Sequence, residues 1–191
     1  MRVCRGEFAR RYHRTECLNV NKVELKSCFE SIRQPAAEFC SAVEHSSAMA
    51  PVEFLQKTQL ILAKLHMAAL TLPRIEDWEG DLQIGKRSNQ EWSTMYQRLK
   101  IFLGKYDLYW QVFDSRKHND EAIFGSLADD LSDIYFDLDG PIKAAQAGVA
   151  IEYVLWDLRL NFYIHWGHHL LGAMKAIHDH LPDIELEIEK S

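Results

Sequence analysis

The sequence predicts an all-α, single-domain helical bundle of four to six helices. Three observations carry that expectation. Apolar residues recur at helical spacing over several segments after residue 35. Two of those segments open on capping signals, Ser88 with Glu91 and Ser126 with Asp129. The connections between them are short and polar, as in bundles. A chain of 191 residues, 47% of them hydrophobic, can bury one substantial core and is too apolar for wholesale disorder.

Taken in order, Pro35 and Pro51 suit the first turn of a helix, where a missing N–H costs nothing. Phe54, Thr58, Ile61, Leu65, Ala68 and Leu72 form one face of a helix over 51–72 that Pro73 ends. An acidic loop follows from Glu76 to Asp81, with Gly80 and Gly85 as breakers. Ser88 and Glu91 then open a helix with an apolar face of Trp92, Met95, Tyr96, Leu99, Phe102 and Leu103, closed by Gly104. Tyr106–Phe113 fits either a short helix or a strand, and Asp114–Glu121 reads as a polar loop. A helix over Leu127–Leu138 should break at Gly140-Pro141, and a further helical stretch covers 142–148. The longest helix is expected over 150–180, ending before Pro182 and forming the centre of the bundle. The domain reading is therefore a basic, cysteine-containing and poorly ordered extension over 1–34, a bundle over 35–181, and an acidic tail over 182–191.

Charge and apolar run length exclude two partner classes. The net charge of −6 argues against a binder of phosphate backbones, so no nucleic-acid partner is expected. No apolar run approaches the roughly 20 residues that span a bilayer, so no membrane partner is expected either. Residues 1–20 carry five Arg against Glu7 and Glu16, a net of +3 that leaves −9 for the rest. That start lacks the apolar core of a secretory signal, which points to a cytoplasmic protein with reduced thiols. Cys4, Cys17, Cys28 and Cys40 form no C-x-x-C, and their spacing around His13 matches no zinc knuckle.

Two helices concentrate polar groups in a way that bears on chemistry. At 100° per residue, Leu127, Ala128, Leu131, Ile134, Tyr135 and Leu138 share one face of their helix, while Asp129, Asp130, Asp133 and Asp137 share the other. A plain acidic solvent face explains the stripe, and so does a divalent cation or basic partner that relieves its repulsion. On the 150–180 helix, Asp157, Asn161, His165, His168, Gly172, Lys175 and Asp179 form a narrow polar gap. His165 can pair with His168 at i, i+3 or with His169 at i, i+4, and either pair could meet one ion alongside carboxylates of a neighbouring helix. The alternative is a set of structural His–carboxylate hydrogen bonds. Arg159 lies on the apolar face of the same helix, which calls for a structural ion pair, most naturally with the acidic helix. No nucleophile elbow, phosphate loop, dinucleotide fingerprint, HExxH or EF-hand pattern is present.

Three phrases in this order, Tyr109-Trp110-Gln111-Val112-Phe113-Asp114, then GSLADDLSDIY over 125–135, then WDLRLNFYIHWGH over 156–168, make the chain resemble the bacterial domain-of-unknown-function 5063 family over roughly residues 35–180. The resemblance implies an all-helical bacterial cytoplasmic protein, carries no catalytic assignment, and makes the start before about residue 30 look like an addition. A weaker likeness, the D-D-x-x-D of the acidic helix, resembles MazG-type pyrophosphohydrolases, whose upstream E-E-x-x-E helix this sequence lacks.

The functional expectation is a helical, non-enzymatic interaction or regulatory module, with another protein or a second copy of the chain as partner and no cofactor. The first alternative is a metal-binding bundle, extending to a metal-dependent (MazG-like) phosphohydrolase, that holds a divalent ion with Asp130, Asp133, His165 and His168. The second is a small-anion or nucleotide sensor centred on Arg159.

Overall fold

A computed structural model describes residues 22–75, 88–112 and 121–188. Among them, six α-helices and one two-stranded hairpin follow in the order α1 Lys22–Glu44, α2 Pro51–Leu70, α3 Asn89–Leu103, β1 Leu108–Val112, β2 Ala122–Ser126, α4 Leu127–Gln146, α5 Ile151–Ile164 and α6 Trp166–Ile188. The bundle is thus mostly helical, as its periodicity predicts. The arginine-rich start, the Glu76–Asp81 loop and most of the Asp114–Glu121 loop lie outside the described residues, as do residues 189–191 of the tail.

Where the sequence offers a clear stop or start signal, the structure uses it. Ala50 caps α2 with Pro51 in the first turn. Ser88 and Glu91 form the reciprocal capping box of α3, Ser88 Oγ accepting from the Glu91 N–H at 3.1 Å and the Ser88 N–H donating to Glu91 Oε2 at 2.9 Å. Gly104 ends α3 at φ 55°, a backbone region that glycine enters without cost. Ser126 caps α4 by accepting from the Asp129 N–H at 3.3 Å.

Where a proline was read as a boundary, burial overrides it. Helix α1 starts at Lys22 rather than at Pro35, so residues 22–34 are helical and not part of an unfolded extension. Leu25, Phe29, Ile32, Ala36, Phe39 and Val43, spaced alternately by four and three, place one continuous stripe of α1 in the core, with Pro35 inside the helix. Helix α4 likewise runs through Gly140-Pro141, and Pro141 itself is buried. Helix α6 runs through Pro182. An internal proline costs about 3 kcal/mol in an isolated helix. Packing the turns on both sides against the core offsets that at Pro35 and Pro141.

The ambiguous segment before α4 resolves as a strand. β1 pairs antiparallel with β2, Tyr109 opposite Gly125 and Trp110 opposite Phe124. Strand alternation turns Tyr109 into the protein and leaves Trp110 and Phe124 outside, ring centroids 3.9 Å apart.

Helix α4, not the 150–180 segment, is the centre of the bundle: it packs against α1, α3, α5 and α6. The 150–180 segment is two helices broken at His165, whose φ of −147° and ψ of −88° leave the helical region. Two observations account for the break. A Cβ on Gly167 would lie 2.2 Å from the carbonyl oxygen of Phe162, so the chain turns back too closely for any side chain there. The fully buried Trp166 also donates its indole N–H to the Leu158 carbonyl at 3.1 Å, pinning α6 against the end of α5. Among the described residues no helix is long and apolar enough to cross a membrane.

Candidate metal centre

Because α4 is surrounded, the middle of its acidic stripe is turned away from water, while Asp129 and Asp137 are half-buried. Asp130 and Asp133, 4% and 7% exposed, lie in the seam between α4 and α6. Carboxylates are almost never this buried without partners, and here the partners can be traced oxygen by oxygen. Asp130 Oδ1 meets His169 Nδ1 at 2.7 Å, and Asp130 Oδ2 accepts from the Tyr109 hydroxyl at 2.6 Å. Asp133 Oδ1 accepts from the Trp92 indole N–H at 2.8 Å. Asp133 Oδ2 faces two imidazole nitrogens, His169 Nε2 at 3.3 Å and His165 Nε2 at 3.8 Å. His165 Nδ1 is in turn held by Asp137 Oδ2 at 2.6 Å.

The two rings come from either side of the break: His165, at the C-cap of α5, and His169, one turn into α6, both present rings to α4 with centroids 5.0 Å apart. His168 is exposed and does not join them. Of the sequence-expected set Asp130, Asp133, His165 and His168, the geometry brings the first three together and leaves the fourth outside. His169, the i, i+4 partner of His165, takes the position given to His168, which is exposed. Asp130 stands behind His169 with both oxygens engaged, leaving Asp133, His165 and His169 as the inner group. Ligand atoms of these three lie within 4.8 Å of one another, and those of Asp129, Asp130 and His169 form a second such group.

The electrostatics follow from burial and crowding. Burial pushes the Asp130 carboxyl above its usual range, although the hydrogen bonds from His169 and Tyr109 pull the other way. Burial alone would lower His169, but the Asp130 hydrogen bond and the charges of Asp130, Asp133 and Asp129 prevail and raise it. The Tyr109 hydroxyl is held well above its ordinary value by burial and by the Asp130 charge, so it stays a donor. Small residues make room for its ring: a Cβ on Gly125 would meet Tyr109 Cζ at 2.6 Å, and one on Gly172 would meet the Tyr109 hydroxyl at 2.6 Å.

Trp92 and Tyr109 are functional neighbours that the sequence did not mark. They come from α3 and β1, 41 and 21 residues from the carboxylates they bond, and no local spacing signals such contacts.

Arg159 does not reach the acidic helix. Its Nη1 donates to the carbonyl of Leu72 at 2.7 Å and its guanidinium lies 5.0 Å over the Tyr163 ring. The expected carboxylate partner is replaced by a backbone carbonyl two residues past the end of α2. This contact holds α5 against α2.

Comparison with known proteins places these features in a family. No curated protein matches the sequence significantly. Among solved structures, the protein BF1032 from Bacteroides fragilis is similar, with a TM-score of 0.70 and 26% identity over 83% of this chain and 94% of that one. The family described as a domain of unknown function (DUF5063) matches residues 23–183, a start that agrees with α1 beginning at Lys22. The chain belongs to the DUF5063 family.

Proposed function

We propose that this protein is a helical metal-binding module whose divalent ion is held by Asp133 Oδ2, His165 Nε2 and His169 Nε2. One observation carries the reading. Both Nδ1 atoms are occupied by carboxylates, Asp137 for His165 and Asp130 for His169, which turns both Nε2 atoms toward one oxygen of Asp133. A neutral imidazole that donates from Nδ1 has a lone pair on Nε2. Two lone pairs and a carboxylate oxygen then converge, an arrangement that a cation relieves. Carboxylate–histidine pairs behind a metal commonly fix ligand rings in this way.

The spacing suits a small transition ion. Ligands about 2.0–2.1 Å from a tetrahedral ion are separated by about 3.3–3.4 Å, close to the 3.3 and 3.8 Å found here. Two nitrogens and one oxygen favour Zn²⁺, Fe²⁺ or Mn²⁺ over Mg²⁺, which prefers oxygen alone. The side chain of His165 is 39% exposed, so the group is reachable from solvent, and three protein ligands leave a fourth position for a water or a further ligand.

This reading now stands ahead of the plain interaction or regulatory module expected from the sequence. It weakens the MazG-like alternative, because Asp130 of the D-D-x-x-D stripe has both oxygens engaged. The small-anion sensor has less support still, since Arg159 is bonded to a backbone carbonyl.

A second reading has one observation in its favour. The raised basicity of His169 suits a charged imidazolium bridging Asp130 and Asp133 as a structural ion pair. Calorimetric titration of chelator-treated protein with Zn²⁺ and Mn²⁺ separates the two. The metal reading expects a one-to-one isotherm at about pH 7.5 that weakens sharply near pH 5.5, because the imidazoles must lose protons to bind. It should vanish in His169→Ala and persist in His168→Ala. Absence of stoichiometric binding in the parent protein would leave the structural ion pair as the answer.

A further inference from the structure

We propose that Trp92 is a positioning residue for this centre: its indole N–H holds Asp133 as a one-oxygen ligand and thereby sets the coordination number of the ion. The inference rests on the metal-binding reading and adds to it a residue that touches no metal.

The indole nitrogen is a donor only and cannot itself bind a cation. It donates to Asp133 Oδ1 at 2.8 Å, while Oδ2 of the same carboxylate is the atom facing His165 and His169. A carboxylate with one oxygen so engaged cannot swing both oxygens onto an ion without breaking a hydrogen bond to a charged acceptor. Such a bond is stronger than a neutral one. Chelation through both oxygens would add a protein ligand to the ion, so the N–H keeps the protein's share at three ligand atoms.

Trp92 is itself held in place, as this role requires. Its ring stacks on Tyr96 one turn along α3, centroids 5.2 Å apart and planes within 7°. Trp92 sits in the first turns of α3, immediately after the Ser88–Glu91 capping box that fixes where the helix begins. Both devices lie within α3, whereas all three ligands come from α4 and the α5–α6 junction. The centre therefore depends on an element that supplies no ligand.

The test compares parent protein, Trp92→Phe and Tyr96→Leu, each stripped of metal and reloaded. Zn²⁺ affinity is read by competition with a chromogenic chelator, and geometry by the visible absorption of the Co²⁺ form. Trp92→Phe keeps a ring on Tyr96 but loses the N–H. We expect its Zn²⁺ affinity to fall by roughly 10- to 100-fold, the usual cost of losing an outer-shell partner. Its Co²⁺ bands should also weaken, as the second Asp133 oxygen joins the ion and the four-coordinate geometry is lost. A purely structural tryptophan would not change the Co²⁺ spectrum. Tyr96→Leu keeps the N–H but frees the ring, and should move both readouts the same way by less; it carries the test if Trp92→Phe does not fold. Unchanged affinity and spectrum in a folded Trp92→Phe, with the parent binding one ion, would overturn the positioning role alone. Failure of the parent to bind either ion would overturn the metal reading and this inference with it.

Discussion

His169 and Asp133 face each other across the α4–α6 seam, Nε2 to Oδ2 at 3.3 Å, while the other nitrogen of the same ring is bound to Asp130 at 2.7 Å. One imidazole is thus set between two buried carboxylates. In the metal-free protein a second proton on His169 stabilises that arrangement. In the proposed loaded form the ion takes the proton's place on Nε2.

That exchange gives stability a defined pH dependence. The raised His169 pKa contributes stabilisation that is complete below the ordinary histidine value of 6.5 and is lost as pH rises through the raised value. Asp130, also raised, acts in the same sense over an interval that begins lower, at the ordinary carboxylate value of 3.8, so the change above pH 6 is assigned to His169. Metal-free protein should therefore melt at a lower temperature at about pH 8 than at about pH 6. The Zn²⁺-induced rise in Tm should grow over the same interval. Differential scanning fluorimetry with and without chelator reads both slopes, and His169→Gln should flatten them.

Gly172→Ala tests how closely the hairpin is fitted to the site. The added methyl would sit 2.6 Å from the Tyr109 hydroxyl, and Tyr109 cannot retreat without leaving Asp130. Overpacking of this kind costs about 1–3 kcal/mol, partly offset by the roughly 1 kcal/mol of helix propensity that alanine gains over glycine. A Tm lower by a few degrees is expected. An unchanged or higher Tm would mean that the ring has room the structure does not show.

Arg159→Ala should destabilise through its carbonyl contact rather than through a salt bridge. A charged donor on the Leu72 carbonyl, with the guanidinium over Tyr163, is worth about 1.5–3 kcal/mol. The exposed Arg33, paired with Glu30 on the same helix face, should cost no more than about 0.5 kcal/mol when truncated. Urea unfolding of the two variants ranks them, and Asp-to-Asn changes in α4 should not alter the Arg159 effect.

The thiols should differ sharply in reactivity. Burial, with the charges of Asp139 and Glu44, pushes Cys40 up to about 12, so almost no thiolate is present near neutrality. Cys28 is half-buried. In a Cys4→Ser/Cys17→Ser background, a thiol reagent should label Cys28 under native conditions and Cys40 only on unfolding. Mass spectrometry of the labelled peptides distinguishes the two.

The sequence by itself determined the helical class, because hydrophobic periodicity and caps are local properties. The Ser88–Glu91 box, Pro51, Gly104 and the Ser126 cap each act within one turn, and each stands where it was expected. The acidic stripe and the His165/His169 pairing were also visible as spacings. Only the tertiary structure decided that Pro35 does not begin its helix and that Pro141 and Pro182 do not end theirs, since at Pro35 and Pro141 the compensating burial comes from distant segments. It also decided which histidines meet Asp133. Spacing allowed either His168 or His169 beside His165, and only the packing of α6 on α4 turns His169 inward and leaves His168 exposed. Trp92 and Tyr109 could not be read from the chain at all, because a hydrogen bond between residues 41 or 21 positions apart leaves no mark on local spacing. Periodicity records which face of an element is buried; what that face meets is fixed only when the elements pack.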